Sequence, residues 1–155
     1  MSIENSEFPD EIKTLLDGSD YAGPASEGAV GELEDKLGFN VPAQYRVFLL
    51  SYGAALLHGF EIYGLADTED GEPPTWSDVR NELRPTELGG LLNRLIPISD
   101  DGGDYTFYIA STQDDESLGE PVVAYGPGVD GKEVAVSFFD FIAIAQRDGV
   151  ATLLR

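Results

Sequence analysis

Apolar residues recur at three- and four-residue steps through residues 26–53, first at Val30, Leu33 and Leu37 and then at Tyr45, Phe48, Leu49 and Tyr52. That spacing puts side chains on one face and predicts two helices in succession. Ser26 suits an N-cap, Glu27 places an acid in the first turn, and Gly38 stands where a left-handed residue would end the first helix. Phe39 can pack back over that last turn. Pro42 suits the first position of the second helix, because its missing N–H would be unpaired there, and Gly53 stops that helix.

Beyond Gly53 the period shortens to two. Residues 59–63, 95–98, 105–110, 121–125 and 133–136 alternate or run apolar as strands do. The second and third of these form a hairpin across the turn at residues 100–104. The last two form another across a glycine-rich loop, with Asp130-Gly131 supplying the turn. A final helix starts at Ser137, with Asp140 completing a capping box and Phe138, Phe141, Ile142 and Ala145 facing the sheet. Upstream, Ile12, Leu15 and Leu16 predict a short helix over residues 8–16, an appendage to the core. Residues 76–83 read as a short polar helix opened by Trp76 and ended before Pro85, and residues 88–92 fit no one element.

Helices, then hairpin-linked strands, then a helix predict an α+β domain with a mostly antiparallel or mixed sheet, packed by N-terminal helices and a C-terminal helix. The expected core is Leu33, Leu37, Tyr45, Phe48, Leu49, Ile96, Ile98, Val122, Val136, Phe138 and Ile142. At 155 residues the chain has the length of one domain, with residues 1–25 as a helical extension and residues 26–147 as the core.

The run Glu32-Leu33-Glu34, Leu37-Gly38, Val41-Pro42, Tyr45, Phe48-Leu49 and Gly53 resembles the signature of the SUKH superfamily, which includes bacterial immunity proteins and a fungal regulator of cell-wall synthesis. The likeness extends through Ile62-Tyr63-Gly64, residues 95–98, Gly103-Asp104, residues 121–123 and Ser137-Phe138. One departure is Tyr52, where the family often has an asparagine, so no role of that amide carries over. The resemblance implies a non-catalytic binding protein, either an immunity factor that neutralises a toxin or an intracellular scaffold or regulator.

Charge sharpens that expectation. There are 29 acidic and 9 basic residues, a net charge of −20. A field of this sign repels nucleic acid and anionic membranes and speeds encounter with a basic protein. General solubility, or an organism whose proteins are all acidic, accounts equally for acids scattered from Glu4 to Asp148. The absence of cysteine excludes disulfides, zinc–thiolate sites and a cysteine nucleophile. Residues 1–13 lack the features of a signal peptide and no apolar run reaches membrane-span length, so a cytoplasmic protein is expected.

Candidate chemistry is sparse. Residues 126–131 match G-x-G-x-x-G, but a strand rather than a helix follows, which makes them a hairpin loop and not a dinucleotide site. Asp100, Asp101 and Asp104, and separately Asp67, Glu69, Asp70 and Glu72, form acidic clusters without the spacing of a calcium loop. They read as solvated turns, with Asp104 placed to fix its hairpin by bonding nearby amides. His58 is the sole histidine, so neither a catalytic triad nor a histidine metal site is supported, and no metal or other cofactor is expected. The expected partner surface has Trp76 and Tyr63 at its centre, ringed by Asp67, Glu69, Asp70, Glu72, Asp100, Asp101 and Asp104. Its expected occupant is a basic protein, a toxin domain in particular.

Overall fold

The computed structural model describes residues 8–38, 40–57, 60–65, 95–110 and 121–154. Helix α1 (Asp10–Asp17) leads through a two-residue strand β1 (Asp20–Tyr21) into α2 (Glu27–Leu37) and α3 (Ala43–Ser51). Strands β2 (Ala55–Leu57) and β3 (Phe60–Ile62) complete an antiparallel sheet in the order β1-β2-β3. Strands β4 (Leu95–Asp100), β5 (Thr106–Ala110), β6 (Val122–Gly126) and β7 (Val129–Ala135) form a second antiparallel sheet in sequence order. Helix α4 (Phe138–Asp148) and a 3-10 turn (Val150–Leu154) follow. The α+β expectation holds, with two sheets in place of one.

The helix pair forms for the reasons its sequence gives. Ser26 Oγ accepts the Ala29 N–H at 3.0 Å, and Gly38 ends α2 at φ 82°. Pro42 stands one place earlier than expected, as the residue preceding Ala43. The turn is clipped by Glu34, whose Oε2 accepts the Val41 N–H at 2.8 Å and lies 3.4 Å from Arg46 Nη1; Arg46 Nη2 meets Glu27 Oε1 at 2.6 Å. At the other end of the chain, Ser137 Oγ accepts the Asp140 N–H at 3.2 Å and starts α4 as expected.

One apolar core underlies both sheets. Leu33, Tyr45, Phe48 and Leu49 from the helix pair meet Ile96, Ile98, Phe107, Ile109, Val122 and Ala124 from the four-stranded sheet, with Phe138, Phe141, Ile142 and Ala145 of α4 between. The sheets are tied where the Tyr63 N–H donates to Ile98 O (2.8 Å) and Ser99 Oγ donates to Glu61 O (2.7 Å). Leu37 is only half-buried.

Three expectations need correction. Helix α1 is no appendage, since Ile12 and Leu16 are buried in the common core. The β6–β7 turn is Pro127-Gly128, with Gly128 at φ 75°, and not Asp130-Gly131; proline followed by a positive-φ glycine is what a type II turn favours. Gly131 instead sits within β7 at φ 78°, as the extra residue between the pairs Ala124↔Lys132 and Tyr125↔Asp130, a bulge. A second slip, between Val122↔Ala135 and Val123↔Glu133, turns Ala135 inward and leaves Val136 65% exposed rather than in the core. Two bulges on the outermost strand also blunt it against pairing with another chain.

Tyr52, the departure from the family pattern, ties α1 down. Its ring meets Phe8, Tyr21 and Phe48 at 5.4, 5.0 and 6.3 Å between centroids, and its hydroxyl donates to Asp17 Oδ1 at 2.6 Å. That bond, with a smaller contribution from Lys13, lowers the Asp17 pKa; burial and the Asp17 bond raise that of the Tyr52 phenol, which stays neutral. An acid with a depressed folded pKa contributes stability that is complete above its ordinary value of 3.8 and is lost as pH falls through the lower folded value. Tyr52→Phe should therefore lower the urea midpoint by a constant amount near neutral pH, with the deficit shrinking below about pH 4. Midpoints measured across that range check this, and a deficit that persists undiminished in acid counts against the bond as its cause.

Candidate binding surface

The β4–β5 and β6–β7 turns of the four-stranded sheet lie at one end of it. In the β4–β5 turn, Asp100 Oδ1 accepts the Gly102 N–H (2.7 Å), and Asp101 Oδ1 accepts the N–H groups of Gly103 (2.8 Å) and Tyr105 (3.2 Å). Such side-chain acceptors satisfy turn amides that no strand partner reaches. The Tyr105 hydroxyl crosses to the β6–β7 turn and donates to Pro127 O at 2.7 Å. Its ring covers Gly126 so closely that a side chain on that glycine would collide with it. The two turns are thus one rigid edge.

Asp104 is exposed there and makes none of these bonds; the amides expected of it belong to Asp100 and Asp101. Which acid serves depends on turn geometry that the run of acids does not reveal. Tyr63 stands behind the surface. It is buried, its carbonyl accepts the Tyr45 hydroxyl at 2.6 Å, and its own hydroxyl donates to the Asp100 carboxylate. It therefore locks β3 to the acidic turn from within the core.

The ion pairs among the described residues join Lys13 to Asp17, Arg46 to Glu27 and Glu34, and Arg147 to Asp148. None involves Asp100, Asp101 or Asp104, so the turn end keeps its negative charge. Trp76, Asp67, Glu69, Asp70, Glu72 and His58 lie outside the described residues. Among the described residues no group of three or more His, Cys, Asp or Glu side chains is placed to hold a metal ion. Among them also, no helix is long and apolar enough to cross a membrane.

Tyr105 is the residue that sequence reading passed over. Its signal was register: once Thr106 pairs with Tyr125, Tyr105 falls beside Gly126, and an aromatic ring over a cross-strand glycine stiffens a sheet end.

Helices bracketing hairpin-linked antiparallel strands describe an α+β domain of the SUKH type. The chain matches the family model described as SMI1-KNR4 cell-wall over residues 8–144, and it belongs to that family. Membership supports a protein-binding role of the immunity type or of the cell-wall-regulator type. No curated protein matches the chain.

Proposed function

We propose that the protein acts in the cytoplasm by stoichiometric binding to a basic protein partner, as an immunity protein covering the active or substrate-binding surface of a toxin domain. A nuclease is the toxin class whose cationic groove fits such a plug. The observation that carries the reading is a net charge of −20 in a member of this family. An acidic surface steers a cationic partner to it and competes for the groove that would otherwise hold phosphates. The family description favours a second reading, an intracellular regulator or scaffold of the cell-wall type.

Co-expression with the product of the neighbouring gene separates the two. The immunity reading expects that product to be toxic alone, and to be bound one-to-one and neutralised by this chain. A harmless neighbour, or a toxic one that is neither bound nor neutralised, transfers the proposal to the regulator.

The geometry also selects the right probe. Asp100 and Asp101 hold the turn, so reversing them mixes charge with folding, whereas Asp104 is exposed and free of turn bonds. Asp104→Lys should slow association with the cationic partner a few-fold at low salt and flatten its salt dependence, with dissociation and thermal stability little changed. Stopped-flow rates at several ionic strengths test it; an unchanged association rate removes the turn end from the encounter surface.

A further inference from the structure

Two large apolar side chains of the three-stranded sheet are exposed among the described residues, Tyr21 on its edge strand β1 and Leu56 on the central strand β2. Alternate residues of β2 point to opposite faces. Ala55 and Leu57 turn into the core, while Leu56, on the outer face, is 48% exposed. Its cross-strand neighbours are the polar residues such a face ordinarily carries: Asp20 on β1 and Glu61 on β3 stand directly opposite it. The row across the sheet reads acid, leucine, acid, with Cβ atoms on the order of 5 Å apart.

A lone exposed leucine means little. This one, however, lines a cleft of about 620 Å³ whose other walls include Thr14 and Leu15 of α1, Asp20 of β1, Leu57 of β2 and Gln146 of α4. Of its described lining residues Leu15, Leu56 and Leu57 are aliphatic, Asp20 is the acid, and Thr14, Ser19 and Gln146 are polar. Glu11 lies outside the lining, one turn away on the α1 face that carries Thr14 and Leu15. Among the described residues no lysine or arginine lines the cleft and Asp20 enters no ion pair; Lys13 is committed to Asp17 and Arg147 to Asp148.

A cleft with three leucines in its lining and the Asp20 carboxylate beside them, in a chain of net charge −20, disfavours an anionic ligand and a second copy of the chain. What it complements is a large apolar side chain carried between basic ones. We infer that the cleft between α1, β2 and α4 is an anchor site that takes one leucine-sized side chain from a lysine- or arginine-rich segment of the partner. This inference rests on the reading of the protein as a binder of a basic partner. It supplies the desolvated centre that charge alone lacks, since acids speed encounter while a filled apolar pocket slows escape.

The test uses two labelled probes: a short amphipathic peptide of leucine and lysine, and its counterpart with every leucine replaced by alanine. The intact protein should bind the leucine peptide about tenfold or more tightly than the alanine peptide, the difference that burying one leucine side chain supplies. Leu56→Ser should erase that preference while leaving the weaker, salt-sensitive binding common to both peptides. Because the residue is half-exposed, the variant should melt as the parent does; independently of any variant, the leucine peptide should shift the methyl resonances of Leu15, Leu56 and Leu57. Equal affinity for the two peptides, a preference that survives Leu56→Ser, or methyl shifts confined elsewhere would overturn the cleft and leave the basic-partner reading standing. Failure of both peptides to bind at low salt would sink the cleft and that reading together. A Leu56-dependent dimer in sedimentation would reassign the cleft to a self-interface.

Discussion

Gly53→Ala is expected to destabilise the protein by roughly 2–5 kcal/mol, a large part of the roughly 5–15 kcal/mol that holds an ordinary domain folded. Two costs add. Gly53 has φ 79°, where an L side chain costs about 1–2 kcal/mol. Its new Cβ would also collide with Gly23 O and lie 2.8 Å from Leu65 O, and both of those atoms are backbone. They cannot swing aside, because three chain segments cross here under their own hydrogen bonds: the Gly23 N–H donates to Tyr52 O at 2.8 Å and the Leu65 N–H to Gly53 O at 2.9 Å. Overpacking of that kind costs typically 1–3 kcal/mol more. Gly38→Ala is the matched control, since Gly38 has nearly the same φ, 82°, but nothing within 4 Å of its added Cβ. It should lose only the conformational part, about 1–2 kcal/mol. Urea denaturation of the two variants decides the matter, and equal midpoints would show that the crossing has room to relax.

That contrast explains what the family signature records. Leu33 and Leu49 fill the core, Glu34 clips the turn between α2 and α3, Tyr45 donates its buried hydroxyl to Tyr63 O, and Gly53 permits the crossing. Each is committed to folding. The signature therefore identifies the scaffold, and the partner must be chosen by residues outside it.

The helix pair was legible because its signals are local: a cap at Ser26, a stop at Gly38, and an apolar face at helical spacing. Strand β2 was not, since Ala55-Leu56-Leu57 is too short to show a period and is a strand only through its pairing with β1 and β3. The position of Val136 was misread because the slip between Glu133 and Ala135 interrupts the alternation, and a single slip reverses every face after it. For the candidate surface, sequence placed acids at the β4–β5 turn correctly but could not say which of them the turn would consume. Tyr63 was named for contact, and its neighbours in the chain gave no hint that Tyr45 and Asp100 would engage it from two sides. The Leu56 cleft needed elements from both ends of the chain, α1 and α4, and so left no trace in any one stretch.

The same register argument yields the second large effect. Phe141, fully buried on α4, lies beneath both sheets: its ring is 6.1 Å from that of Phe60 in β3 and 5.3 Å from that of Phe107 in β5, between centroids. It is the wedge that the two sheets share. Truncation would leave a cavity bounded by strands that are hydrogen-bonded in place and by Phe107, itself fully buried, so little can collapse into the space. Phe141→Ala should therefore cost about 3–5 kcal/mol. Val136→Ala, a few residues earlier and counted as core by alternation alone, should cost less than about 0.5 kcal/mol, because the bulged register turns that side chain to solvent. Measured side by side in urea, the pair tests the register and the shared core at once. Were Val136→Ala to cost several kcal/mol, the bulge at the end of β7 would be misplaced. Were Phe141→Ala to prove mild, the two sheets would not rest on a common wedge.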